Sequence, residues 1–156
     1  MKRFGPNPHA DIRYTPRPGV YAILPLRGRI LATFQGGIHN EYQLPGGGVD
    51  PGEQPISALH REVFEETGWH IAKPRVFYRF KNYVFMPDYN LWAEKICTIY
   101  TAQPIYRHSE PIELDHNPVE LSVKDALRLL ANAGDRDAVS YFLKCTWDHS
   151  VKINIP

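Results

Sequence analysis

The sequence predicts an α/β (α+β) fold. Three observations carry that expectation: two β-prone runs ahead of one sharply bounded helix, aromatic and β-branched runs behind it, and helical patterns near the end. "GVYAILPLRGRILATF" at 19–34 gives two runs around Arg27-Gly28-Arg29, which suits a hairpin, with Pro25 at an edge or bulge because it cannot donate to a ladder. "NEYQLPGGG" at 40–48 reads as a short strand that breaks at Pro45 and passes into a glycine loop.

The helix that follows is marked at both ends. Pro55 suits its first position, Gly68 suits the residue just past its end, and Ile56, Leu59 and Val63 recur at i, i+3, i+7. Residues 74–86 and 91–103 are rich in aromatic and β-branched side chains and predict two or three further strands, in a sheet that is mixed or mostly antiparallel. Ser122 with Asp125 resembles a capping box, and Asp135 is the expected cap of a last helix running through Cys145. Residues 1–18, rich in Pro and Gly, are expected to form an extended N-terminal arm. No repeat or low-complexity tract divides the chain, so a single domain over 1–156 is expected.

Composition narrows the function. Of 156 residues, 43% are hydrophobic and 22% charged, the balance of an ordinary globular chain. No apolar run approaches the roughly 20 residues a membrane-spanning helix needs, and no signal-peptide pattern opens the sequence, so the cytoplasm is the expected compartment and no membrane partner is expected. A formal net charge of +1 without a basic block argues against long nucleic acid as a partner. Cys97 and Cys145 form no CxxC pair and read as reduced core residues. The seven histidines show no HExxH-type spacing, and His60 reads as packing or surface, which argues against a zinc enzyme.

The informative stretch is "GGGVDPGEQPISALHREVFEETGW" at 46–69. At roughly 100° per residue, Ile56, Leu59, Val63 and Thr67 share one side of the helix, while Glu62, Glu65 and Glu66 fall in a separate arc. Like charges one turn apart cost a few tenths of a kcal/mol each unless water screens them or a cation binds them. Hard divalent ions prefer carboxylate and carbonyl oxygens, and a glycine-rich backbone beside the helix can add a carbonyl.

These residues resemble the signature of the Nudix hydrolases: a Gly, five residues, a Glu, seven residues, then Arg-Glu-apolar-any-Glu-Glu-any-Gly-apolar. Gly47, Glu53, Arg61, Glu62, Val63, Glu65, Glu66 and Gly68 fill it in register, and only Trp69 departs, being bulkier than the usual aliphatic residue. The resemblance implies a Nudix-like α/β/α sandwich with a mixed central sheet. It implies hydrolysis of a pyrophosphate bond in a small-molecule substrate, a nucleoside diphosphate linked to another moiety, with Mg²⁺ or Mn²⁺ as cofactor; it admits a homodimer.

By the same resemblance Glu62, Glu65 and Glu66 are metal carboxylates, with the Gly46 carbonyl as a further ligand. Arg61 orients the neighbouring carboxylates, and Glu53 supports the site. Catalysis is assigned to Glu62, Glu65, Arg61 and Glu113. The general base comes from the box as Glu62 or from a later loop, "HSEPIELDHNPVELS", where Glu113 is the first choice, Asp115 the next, and Glu110 and Glu120 remain open. Tyr42, Phe34, Tyr83 and Trp92 are available to stack on a base, although most read as core. Two other readings stay in view: a non-catalytic nucleotide-binding Nudix-fold module, and the isoprenoid diphosphate isomerase branch, which would need a pocket cysteine such as Cys97.

Overall fold

The computed structural model describes the backbone of residues 1–153 and the side chains of residues 1–146, so residues 154–156 of the expected domain lie outside the described residues. In chain order the elements are β1 (Lys2–Phe4), β2 (Thr15–Leu26), β3 (Arg29–Gln35), β4 (Glu41–Gln43), β5 (Gly46–Gly48), α1 (Pro55–Thr67), β6 (Trp69–Met86), β7 (Leu91–Arg107), β8 (His116–Leu121), α2 (Val123–Leu129) and α3 (Ala133–Ile153), with a 3₁₀ turn at Pro87–Tyr89.

The strands form one mixed sheet in the order β1-β6-β7-β2-β3-β4, with β5 paired to β2 and β8 to β3. β1–β6 and β2–β7 are parallel; the other pairs are antiparallel. β2 changes partner along its length. Thr15–Ile23 lies beside β7, and Leu24–Leu26 pairs with β3. Pro25 therefore sits beyond the β7 ladder, in the edge position its missing N–H requires. The hairpin to β3 turns on Arg27 (φ 52°) and Gly28 (φ 74°), two left-handed residues in the tight loop that matches strand twist.

Alternation along β2 divides the core in two. Val20, Ala22 and Leu24 face α1 and join Ala58, Leu59 and Val63; Ile23 faces the opposite way and packs with Phe80, Cys97, Ala126, Ala138 and Val139 beneath α2 and α3. Helices thus cover both faces of the sheet, the expected α/β/α sandwich.

Several local expectations change. The glycines at 46–48 form a strand rather than a loop, because β2 offers a free ladder beside them. Parts of the N-terminal segment are built into the sheet: β1 pairs with β6, and Thr15–Pro18 already belongs to β2. Ile56 is 48% exposed and Glu66 only 4%, so the buried side of α1 is rotated from the apolar spacing. Asn132, not Asp135, caps α3, its Oδ1 accepting from Gly134 N at 2.8 Å. Asp135 is buried instead, with Leu44 N–H directed at it, and desolvation pushes its carboxyl up to about 7.

Gly68 ends α1 in the left-handed region (φ 73°), its N–H returning to Phe64 O at 2.8 Å. A Cβ there would run into the backbone carbonyl of Ser109. Gly68→Ala is expected to destabilise the protein by about 1–3 kcal/mol, read as a lower urea midpoint; an unchanged midpoint would mean that the Ser109 loop yields freely.

Candidate functional site

Four segments converge at one end of α1. β5 lies against the helix because its glycines lack side chains. A Cβ on Gly46 (φ 144°) would collide with the β2 backbone at Val20 and Tyr21, and one on Gly47 would occupy the space of the Glu62 carboxylate. The loop after β7 is tied to the last turn of α1: Ile112 N and Glu113 N both donate to Glu65 O, at 2.8 and 3.1 Å, and His108 N donates to Gly68 O at 2.8 Å. These bonds satisfy carbonyls that a helix end leaves without partners, and they hold Glu113 beside the helix carboxylates. The fourth segment, the start of β8, supplies His116.

Arg61 is the hub of the exposed half. Its Nε and Nη2 take both oxygens of Glu53 (2.8 and 2.9 Å), its Nη1 takes Glu62 Oε1 (2.8 Å) and Glu65 Oε2 (3.2 Å), and its Nη2 also reaches Gly48 O (3.1 Å). A planar fork suits this arrangement better than a point charge. The Arg61 hydrogen bonds, then the Asp50 N–H, hold the Glu53 carboxyl down at about 2. Glu53 is thus a support for Arg61, one side chain removed from the converging acids.

The buried half has the opposite character. Glu66 accepts from Gly46 N at 3.0 Å through Oε2, and its Oε1 lies 3.6 Å from His116 Nδ1. Desolvation pushes its pKa well up despite the Gly46 N–H, and Glu62 and Glu113 add repulsion. Glu62 is also raised, by desolvation first, with Arg61 opposing. His116, 5% exposed, contacts Thr33 Oγ1 through Nδ1 (3.0 Å) and Glu113 Oε2 through Nε2 (3.3 Å). Burial lowers its pKa and so favours the neutral imidazole, against the opposing charges of Glu113 and Asp115.

Two overlapping groups have ligand atoms that all lie within 4.8 Å of one another: Glu62, Glu65 and Glu113, and Glu66, Glu113 and His116. The structure thus brings together Glu62, Glu65, Glu66, Arg61 and Glu113 from the sequence-derived set. Gly46 reaches the site through its N–H to Glu66. The other loop acids lie elsewhere: Glu110 pairs with Arg107 at 2.8 Å, Glu120 bonds Arg27 on the outer edge of β8, and Asp115 contributes a backbone carbonyl to Gly36. His60 is exposed. Sequence reasoning passed over His116, whose only signal was its place three residues after Glu113 at the start of a strand.

The cluster opens into a cleft of about 740 Å³ whose lining includes Gly46–Gly48, Glu62, Glu66, Glu113 and His116, and also Phe4, Asn82, Phe85, Tyr89 and Lys95. The aromatic residues considered for base stacking do not line it, in keeping with their reading as mostly core. Phe34 and Tyr42 pack on each other (5.0 Å), and Tyr83 and Trp92 pack around Tyr14. Cys97, 1% exposed and pushed up to about 12 by burial, belongs to the core and supplies no pocket thiol, which removes the support for the isomerase reading. No helix among the described residues is long and apolar enough to cross a membrane.

The MutT protein from Methanosarcina mazei Go1 superposes with a TM-score of 0.70 at 19% identity, covering 87% of this chain and 99% of that one, a likeness of fold. The RNA pyrophosphohydrolase of Psychrobacter cryohalolentis is 46% identical over 50 residues, covering 28% of this chain and 29% of the relative. That of Yersinia enterocolitica is 35% identical over 74 residues, covering 47% and 41%. The chain therefore aligns with less than half the length of these curated relatives. The NUDIX domain family itself matches residues 14–144, a span that contains both core layers, β5 and α1, the Glu113 loop and His116, and the chain belongs to that family.

Proposed function

We propose that the protein is a Mg²⁺- or Mn²⁺-dependent pyrophosphohydrolase acting on a nucleoside diphosphate linked to another moiety. The observation that supports this best is the approach of Glu62, Glu65 and Glu113 ligand atoms to within 4.8 Å of one another at the wall of a cleft, with Glu66 and His116 adjoining. The donor set is chiefly carboxylate oxygen, which fits a hard divalent cation. The raised pKa of buried Glu66 fits as well, because burial without a cation disfavours its charged form.

Glu62, Glu65 and Glu66 would hold the metal, with Glu113 and the Gly46 carbonyl as further contributors. When bound, a divalent ion offsets diphosphate charge and lowers the pKa of coordinated water. Arg61 keeps Glu62 and Glu65 oriented, leaving their second oxygens for the cation. Glu113 is the favoured general base: His116 Nε2 occupies its Oε2, so Oε1 is left to take the proton of the attacking water. Glu62 is the competing choice. Asp115 and Glu110 fall behind because neither belongs to the converging groups.

The named relatives are RNA pyrophosphohydrolases, so a phosphorylated RNA end belongs in a substrate panel with nucleoside triphosphates, dinucleoside polyphosphates and ADP-ribose. Release of phosphate, pyrophosphate or nucleoside monophosphate in Mg²⁺ or Mn²⁺, and none in chelator, is the expected result. Turnover undiminished by chelator would reject the metal. Glu65→Gln and Glu66→Gln are each expected to lower kcat about a hundred-fold or more; Glu113→Gln is expected to lose a comparable factor while Mn²⁺ affinity falls far less.

Stability gives a second test. The folded pKa of Glu66 is raised, so the folded state binds its proton more tightly than the unfolded chain. Metal-free protein should therefore lose stability as pH rises from the ordinary carboxylate range through the raised value. Mn²⁺ competes with that proton, so the Tm gain from Mn²⁺ should grow over the same window. Glu66→Gln should flatten the metal-free profile and remove most of the Mn²⁺ gain. A wild-type Tm insensitive to Mn²⁺ at every pH would exclude Glu66 from the metal shell.

A further inference from the structure

The face of the sheet that carries α2 and α3 is apolar until it reaches the cleft, and there it becomes polar. In the inner row Phe80 on β6 lies opposite Cys97 on β7, with Gly19 of β2 alongside. The first turn of α3 covers this row so closely that a Cβ on Gly134 would strike the Phe80 ring. Two residues outward on the same face, the next row crosses four strands: Phe4 on β1, Asn82 on β6, Lys95 on β7 and Arg17 on β2 are register partners in turn. Here apolar packing stops and the cleft begins; Phe4, Asn82 and Lys95 line it.

The two central members of this row are chemically asymmetric. Asn82 Oδ1 is buried and accepts no hydrogen bond among the described residues, an expensive state for an amide oxygen unless a ligand satisfies it. Lys95 Nζ lies 5.7 Å from the centroid of the Tyr21 ring, and Tyr21 first, with Asp135 a smaller contributor, raises its pKa against the opposing burial. It can only donate. Two aromatic groups bound the same space: Phe4, whose ring meets Phe80 at 5.5 Å, and Tyr89, held under Arg17 at 4.5 Å. In the sheet β7 and the Gly46–Gly48 strand flank β2 on either side, roughly 10 Å apart at about 4.8 Å per strand.

We propose that Asn82 and Lys95 read the base of the substrate and select a keto base, one that presents a carbonyl oxygen beside a ring N–H, over an amino base. This rests on the nucleotide reading of the acidic site. A guanine or uracil edge places its carbonyl oxygen on the Lys95 ammonium and its neighbouring N–H on Asn82 Oδ1. Adenine and cytosine present the same two positions in reverse order. With the phosphates fixed at the glutamates, their amine would face the ammonium and their ring nitrogen would face the amide oxygen, two repulsive contacts in place of two hydrogen bonds.

The test is calorimetric titration of GMP, UMP, AMP and CMP into the protein in Mg²⁺, with Asn82→Leu and Lys95→Met compared after thermal melts establish folding. GMP and UMP are expected to bind at least about ten-fold more tightly than AMP and CMP, the scale of one charge-assisted hydrogen bond, and each variant should erase most of that ratio. The wild-type ranking decides alone if either variant fails to fold. Equal binding, binding of none, an adenine preference, or a ratio that survives both substitutions would overturn the proposal. Hydrolysis of the matching diphosphate derivatives in Mn²⁺ separates the two readings. Cleavage without base ranking removes only the base subsite; ranking without any cleavage removes the catalytic reading and leaves the subsite in place.

Discussion

The close approach of β5 to α1 is the constraint on which the site depends. Gly46 and Gly47 lie where a Cβ would collide with the β2 backbone or with the Glu62 carboxylate. Because neither has one, the strand completes its ladder with β2 and still leaves space for the helix side chains. The Gly46 N–H can then reach Glu66, which turns a carboxylate on a core-facing position into a fixed, hydrogen-bonded group. The conformational freedom of glycine matters here for how near two elements can lie, more than for flexibility.

Charge is distributed unevenly around that contact. Arg61 serves Glu53, Glu62 and Glu65 with one guanidinium, and Glu53 is satisfied so fully that its proton is lost far below the usual range. Among the described residues Glu66 and Glu113 have no arginine or lysine ion pair; His116 lies against both, and burial lowers its pKa. The local field therefore remains negative at the wall of the cleft. A polyanion approaching this wall would be repelled by it unless a cation offset the charge, so any bound cation would be the largest local charge there. The loop that brings Glu113 into place is anchored by backbone bonds to Glu65 O, so the helix that carries the other acids also sets the position of the candidate base.

Much of this was legible in the chain. Pro55 and Gly68 mark α1 to the residue, and the spacing from Gly47 to Trp69 selects the acids that converge. Long-range pairing was not legible. Whether "GGG" is a loop or a strand depends on a free ladder on β2, and a three-residue glycine run carries no side-chain alternation to announce one. The orientation of Glu66 was hidden for a related reason: apolar spacing marks Ile56 as buried, but the cover over α1 leaves Ile56 in water and encloses the glutamate. At the start of α3, Asn132 and Asp135 both carry capping side chains, and only the depth of the helix in the core decides that Asp135 is enclosed. His116 and Asn82 gave weak signals because a lone histidine or asparagine in a strand-forming run is usually a surface residue.

The boundary between core and cleft follows from where α3 begins. Gly134 lets the first turn of the helix settle onto Phe80, and Asn132 closes that turn by accepting from the Gly134 N–H. One turn earlier, the helix would cover the Asn82–Lys95 row and close the cleft over the Lys95 ammonium, at a cost of several kcal/mol. One turn later, Phe80 and Cys97 would lose their cover. The sheet that buries the core thus also carries Asn82 and Lys95 to the wall of the cleft.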